Sequence, residues 1–297
     1  MVFLPLIFSF TLVRRYGTPW MVFGIGGLAF LVAEIVRSPV TNWLTTSDFF
    51  TNATRDMSPV YVIMFYALLI SLFQNAARYA GFRLAGSQSH SWGGGLTVAA
   101  GFATLNLVLI FGLNALMTLV YVLTFPSTAP DGVAANEFAA MQQQVSDFWN
   151  ATFLNSFVQT QLIPGLFQFT LQFAITLIMW VGIVQKKWQW IFSAVLLQTA
   201  LVSVDSVVGY WISLYLVNAY DYALNLVLGC LIFIALMVFN AGIVYVIYKQ
   251  VSPLAPAVVK VIPAPTASKP GARTLAPREK AVQDVKPAKK LKNTDLK

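Results

Sequence analysis

The chain of 297 residues has one cysteine and one histidine, and only 10% of its residues are charged. Each shortage excludes something. A single cysteine, Cys230, lying in an apolar run, allows no disulfide framework within the chain; it reads as a small buried apolar side chain. A single histidine, His90, sits in the polar loop Gly86-Ser87-Gln88-Ser89-His90-Ser91. No His/Cys/carboxylate cluster remains on which to build a zinc site, so neither a metal nor a cofactor is expected. No Ser–His or Ser–Lys pairing is evident within the apolar runs. Gly93-Gly94-Gly95 lacks the lysine and Ser/Thr of a phosphate loop and reads as a flexible hinge into a helix. The first apolar run has no basic region ahead of it and no small-residue cleavage site behind it, so no cleavable signal peptide is expected.

The shortage of charge is informative in itself. Soluble domains carry roughly 25% charged residues. Here 58% of residues are hydrophobic and the mean hydropathy is +0.70. The composition is that of an all-α, polytopic transmembrane helical bundle. A span needs about 20 apolar residues to cross roughly 30 Å of hydrocarbon. Candidate spans cover residues 1–13, 20–36, 59–73 running on toward 84, 94–125, 163–185, 188–217 and 222–248, about seven in all. The first is short. The fourth is long for one span, and Asn106, Gly112 and Asn114 mark a kink or break in it.

Charge in the loops orients the bundle. Arg14/Arg15, Arg78/Arg83, Lys186/Lys187 and Lys249 fall on one side of the alternation. Asp48/Asp56, Asp131/Glu137/Asp147 and Asp221 fall on the other, with Arg37 and Arg55 as their basic company. Basic loops stay cytoplasmic, which predicts an outside N-terminus, an inside C-terminus and a multi-pass protein of the plasma (inner) membrane. Two domains are expected: a transmembrane domain over 1–250 and a disordered, basic, Pro/Ala/Lys-rich cytoplasmic tail over 251–297. From Pro253 onward there are ten Lys/Arg and three Asp/Glu, so the tail holds +7 of the net charge of +8. That basicity points to an anionic inner leaflet as partner and not to nucleic acid. The outer segment 126–161 contains an amphipathic pattern from Asn136, with Phe138, Met141, Val145 and Phe148 at helical spacing. Asn-Ala-Thr sites at Asn52 and Asn150 fall in expected outer loops.

Ionisable groups inside a membrane are costly and draw attention. Two acids qualify. Glu34 precedes Arg37 by three residues and suits a local ion pair. Asp205 lies deep in the sixth span, on a face with Gln198 and Gly209, and is the candidate functional acid; a hydrogen-bonded structural Asp is its plainer reading. Amides are commoner than acids: Gln74 and Asn75, Asn106 and Asn114, Gln198, and a Gln168/Gln172/Thr176 stripe at i, i+4, i+8. Hydrogen bonding between helices accounts for amides without invoking chemistry.

Three stretches carry a resemblance: Arg14-Arg15-Tyr16-Gly17-Thr18-Pro19-Trp20 through Phe23-Gly24-Ile25-Gly26-Gly27 to Val36-Arg37-Ser38-Pro39-Val40; then 72–82, containing Gln74-Asn75-Ala76-Ala77-Arg78; then 92–106. They resemble the YhfC family, grouped with the CAAX-protease-type glutamic intramembrane proteases. The likeness covers about two thirds of the membrane region. It implies an active centre of paired glutamates followed by an arginine, a glycine-flanked histidine with an acid four residues on, and further Glu and His positions on later helices. In this sequence the paired acids stand as Gln74 and Asn75, with Arg78 kept. The histidine stands as Phe102 beside Gly101, and the following acid as Asn106. The later positions match Phe167-Gln168 and Gln198. A glutamate protease needs a carboxylate to take a proton from water, and these positions offer none.

The expected function is therefore an intramembrane-protease-like membrane protein that has lost catalysis and binds another membrane protein, a transmembrane helix or lipid. Two other readings stay open: an active peptidase with Asp205 as a shifted acid, and a structural subunit of a larger complex or a small transporter.

Overall fold

The computed structural model describes residues 3–128, 134–149, 162–215 and 219–251. These all lie in one compact unit, Met1–Ala255. Among them are ten α-helices and no strand: α1 (Phe3–Tyr16), α2 (Trp20–Thr46), α3 (Asp48–Thr54), α4 (Pro59–Ala85), α5 (Trp92–Leu107), α6 (Leu113–Thr124), α7 (Ala135–Trp149), α8 (Ile163–Val184), α9 (Trp188–Tyr215) and α10 (Ala219–Val251). Six helical stretches are long and apolar enough to cross a membrane. The molecule is thus an all-α, polytopic helical bundle. The first apolar run forms α1, whose 14 residues fall short of a full crossing at 1.5 Å per residue. The expected tail over 251–297 lies almost wholly outside the described residues.

The long fourth run is interrupted where its polar residues predict. α5 passes through a π-helical turn at Val108–Gly112 into α6. The two halves have different surroundings: 14 of the 16 residues of α5 are buried, whereas in α6 only Val122 is.

α5 and α8 form the centre. α5 packs on α2 and α8, α4 on α2 and α9, and α8 also on α9 and α10. α8 is apolar on nearly all sides, as a core helix should be, and buries 14 of its 22 residues. α2 and α5 meet backbone to backbone. A Cβ on Gly26 would lie 2.2 Å from the Val98 carbonyl oxygen, and one on Gly101 2.1 Å from that of Phe23. Small residues permit such close helix contact.

Gly93-Gly94-Gly95 is not the hinge the sequence suggests. All three are buried in the first turn of α5, capped by Ser91, whose hydroxyl accepts from the Gly94 N–H. A side chain on Gly94 would strike the Gln88 carbonyl, and one on Gly95 the Trp180 ring. These glycines admit neighbours; they do not confer bending.

The same end of the bundle gathers the basic loops. Gly93 lies against Tyr16, Trp92 packs on Trp180 and Tyr248, and the Trp180 indole donates to the Ser89 carbonyl at 2.6 Å. The helix ends bearing Arg14/Arg15, Arg83, Lys186/Lys187 and Lys249 are thereby brought together. On the expected amphipathic helix, Phe138 is buried and stacks on Phe125 with ring centroids 5.5 Å apart.

Candidate functional site

Gln74, Asn75 and Arg78 occupy one face of α4, three and four residues apart, where they point into the bundle. The Arg78 side chain is fully buried. Burying a guanidinium is costly unless its donors are matched, and here the matching is dense. Nε donates to Thr176 Oγ1 at 3.0 Å, and Nη1 donates to Asn75 Oδ1 at 3.1 Å and to Gln198 Oε1 at 2.6 Å. Nη2 donates to Gln172 Oε1. The group also lies 4.1 Å from the centroid of the Phe102 ring, which offers its negative face to the cation. None of these immediate partners is a carboxylate.

The amides then pass the connection outward. An amide both accepts and donates, whereas a carboxylate only accepts. Asn75 accepts from Arg78 and donates to Gln198 Oε1 at 2.8 Å. Gln198 donates to Gln74 Oε1, and Gln74 donates to Glu34 Oε1 at 3.0 Å. Glu34 takes Arg37 on its other oxygen, the predicted ion pair. On the far side Gln172 donates to Gln168 at 3.5 Å, and Gln168 donates to Asp205 Oδ2 at 2.7 Å. The result is a continuous line of side chains across α2, α4, α8 and α9. A carboxylate caps each end and one cation sits at the middle. With the Arg37 partner included, the line holds two acidic and two basic side chains.

The structure brings Gln74, Asn75, Gln198 and Arg78 into direct contact, sets Phe102 beneath them, and joins Gln168, Asp205, Glu34 and Arg37 to them. Asn106 stays apart: it is buried, and its Oδ1 has no hydrogen-bond partner among the described residues. Phe167 is a core residue packed on Phe233. Asn114 is exposed on α6. His90 is on the exposed α4–α5 loop. Cys230 is a free, half-buried thiol. Sequence reasoning missed Thr176 as a partner of Arg78, although the i, i+4, i+8 stripe pointed to that face. It also missed the second bond of Glu34, for which local spacing carries no signal.

No solved structure matches the chain significantly. The uncharacterized membrane protein YhfC of Bacillus subtilis (strain 168) is 27% identical over 138 residues, which is 44% of this chain and 53% of that protein. The chain thus spans about half the length of the curated relative it matches. A family model described as YhfC intramembrane metalloprotease matches residues 1–220. That match covers the whole polar line from Glu34 to Asp205, and the chain belongs to the YhfC family.

Proposed function

We propose that this chain is a non-hydrolytic member of its family, in which the polar centre latches helices together and the bundle serves as a binding or accessory membrane protein. The observation that carries this reading is the buried Arg78 guanidinium, whose acceptors are all neutral oxygens, among them that of Asn75, where the resemblance implies an acid. A guanidinium and amides can hold four helices in register. They cannot take a proton from water at neutral pH.

The family description implies a metal, and the residues present do not suit one. Among the described residues no three His, Cys, Asp or Glu side chains come together. The oxygens that do converge, those of Gln172, Gln198 and Asn75, are already engaged by Arg78. A divalent cation there would face a fixed positive charge, without the imidazole or thiolate ligands that hold zinc.

A second reading has an observation of its own. Asp205 is joined to the network through Gln168 and, unlike Glu34, has no ion-pair partner among the described residues, so it is the carboxylate better placed to act if peptidase activity exists. The test is hydrolysis of a labelled transmembrane peptide by the full chain in detergent micelles. No turnover is expected, from the natural protein or from Asp205→Asn. Turnover by the natural protein that Asp205→Asn abolishes would establish the peptidase and sink the non-hydrolytic reading.

A further inference from the structure

A second polar feature lies outside the buried network. Between the α4–α5 loop and the α8–α9 turn opens a cleft of about 820 Å³, at the end of the bundle where the basic loops gather. Tyr79, Arg83, Ser87, His90, Lys186 and Trp188 are among the residues lining it. None of its lining residues is acidic, and neither Arg83 nor Lys186 pairs with a carboxylate among the described residues.

Two features mark these positions: the Arg83 side chain is held by a neighbour, and the Lys186 backbone is strained. The first is a layered stack. Arg83 donates through Nε at 3.1 Å and Nη2 at 2.7 Å to the Tyr79 hydroxyl, with its guanidinium 5.2 Å from that ring's centroid. Tyr79 in turn stacks on Trp188, 6.4 Å away and within 20° of parallel. The second is backbone strain. Lys186 has φ of 54°, in the left-handed region where glycine is the usual occupant. It closes α8 with the paired bonds of a Schellman motif: Lys186 N–H to the Ile183 carbonyl and Lys187 N–H to that of Gly182. The turn would form more easily with glycine, yet the position carries a charged side chain lining the cleft. The 28-residue α9 begins at Trp188, so the positive end of its dipole faces the same space.

We propose that this cleft binds an anionic phosphate group. Arg83 and Lys186 supply charge, and Ser87 and His90 supply hydrogen-bonding groups. Exposed Trp188 lines the cleft, and exposed Leu84 and Phe192 follow its lining residues Arg83 and Ile191 in sequence; such apolar surface suits the acyl chains of a phospholipid, so its head group is one source of the phosphate. A water-soluble phosphate ester is the other. Positive-inside charge places this end toward the anionic cytoplasmic leaflet.

The experiment uses the full chain in detergent micelles. Dioleoyl phosphatidylglycerol, the matching phosphatidylcholine and inorganic phosphate are titrated separately against the natural protein and against Arg83→Gln/Lys186→Gln, with retained lipid and thermal stabilisation as readouts. The ten Lys/Arg beyond Pro253 are the same in both proteins, so the difference reports the cleft. Preference for phosphatidylglycerol should drop roughly 10- to 30-fold in the double variant. Inorganic phosphate stabilising the natural protein alone, with no lipid preference, would also support the site and identify a soluble ester as its source. Lys186→Gly keeps the turn and removes the charge, so it should bind more weakly while remaining folded. Identical responses of all three proteins to every ligand would overturn the proposal.

Discussion

Arg78 and Arg83 stand five residues apart on the same helix, and they are handled in opposite ways. Arg78 turns inward, loses all contact with solvent, and is met by four side-chain acceptors from three helices and by the face of Phe102. Arg83 is exposed at the helix end and is held by one tyrosine hydroxyl and the ring beneath it. A desolvated cation must have its partners built for it, so its site is fixed by the fold and fixes the fold in return. A solvated cation needs none, so whatever order surrounds it is free to serve a ligand. The comparison separates a latch from a binding site within one α4.

The largest effect should come from removing the inner charge. Arg78→Ala strands the acceptors of Asn75, Gln172, Gln198 and Thr176 in the core and should cost about 3–5 kcal/mol, the usual scale for breaking a buried ionic network. Arg78→Lys keeps the charge but has no planar fork to reach four partners, so it should still lose about 2 kcal/mol. Arg83→Ala should stay within about 0.5 kcal/mol of the natural protein. Denaturant unfolding in mixed micelles measures all three. Equal losses at the two arginines would erase the distinction.

A smaller effect tests whether the centre has adapted to amides. Gln74→Glu restores the residue type that the family resemblance implies, yet it sets a carboxylate against the Glu34 oxygen that Gln74 now donates to at 3.0 Å. Two carboxylates at that range cannot both ionise without penalty, and a loss of about 2 kcal/mol is expected. Adding Glu34→Gln returns a donor to the pair and should recover most of that loss, a coupling read by a double-mutant cycle. If Gln74→Glu alone is neutral, the amide line does not constrain the centre.

Much of this was legible in the sequence, and the reasons it stopped are physical. The apolar runs with their polar punctuation marked the membrane helices, and the Gln168/Gln172/Thr176 spacing marked one face of α8. The Glu34–Arg37 pair followed from a separation of three. What helical periodicity does not carry is which faces meet. Arg78 finds Thr176 across 98 residues and Gln198 across 120, and no local rule selects those partners. Phe102 was legible as a departure from the family pattern but not as the ring under a cation. The glycine triplet misled because glycine serves both bending and close approach, and only the neighbours decide between them. The cleft was hidden because it is assembled from two separate turns; its one trace was the basic charge at Arg83 and Lys186/Lys187.

The remaining effect has the opposite sign. If Lys186 were only a helix terminator, glycine would do its work better, because a side chain at φ of 54° crowds its own backbone. Lys186→Gly should therefore stabilise the bundle, by about 1 kcal/mol. The same change at Lys187, which does not occupy the left-handed position, should not. Stability gained at Lys186 alone, together with anionic lipid lost, would mean that the outer region of α4 carries strain for the sake of a charge, whereas the inner region spends its charge on the fold. A Lys186→Gly protein no more stable than the natural one would remove the strain argument and leave Arg83, on its tyrosine, as the one ordered cation of the cleft.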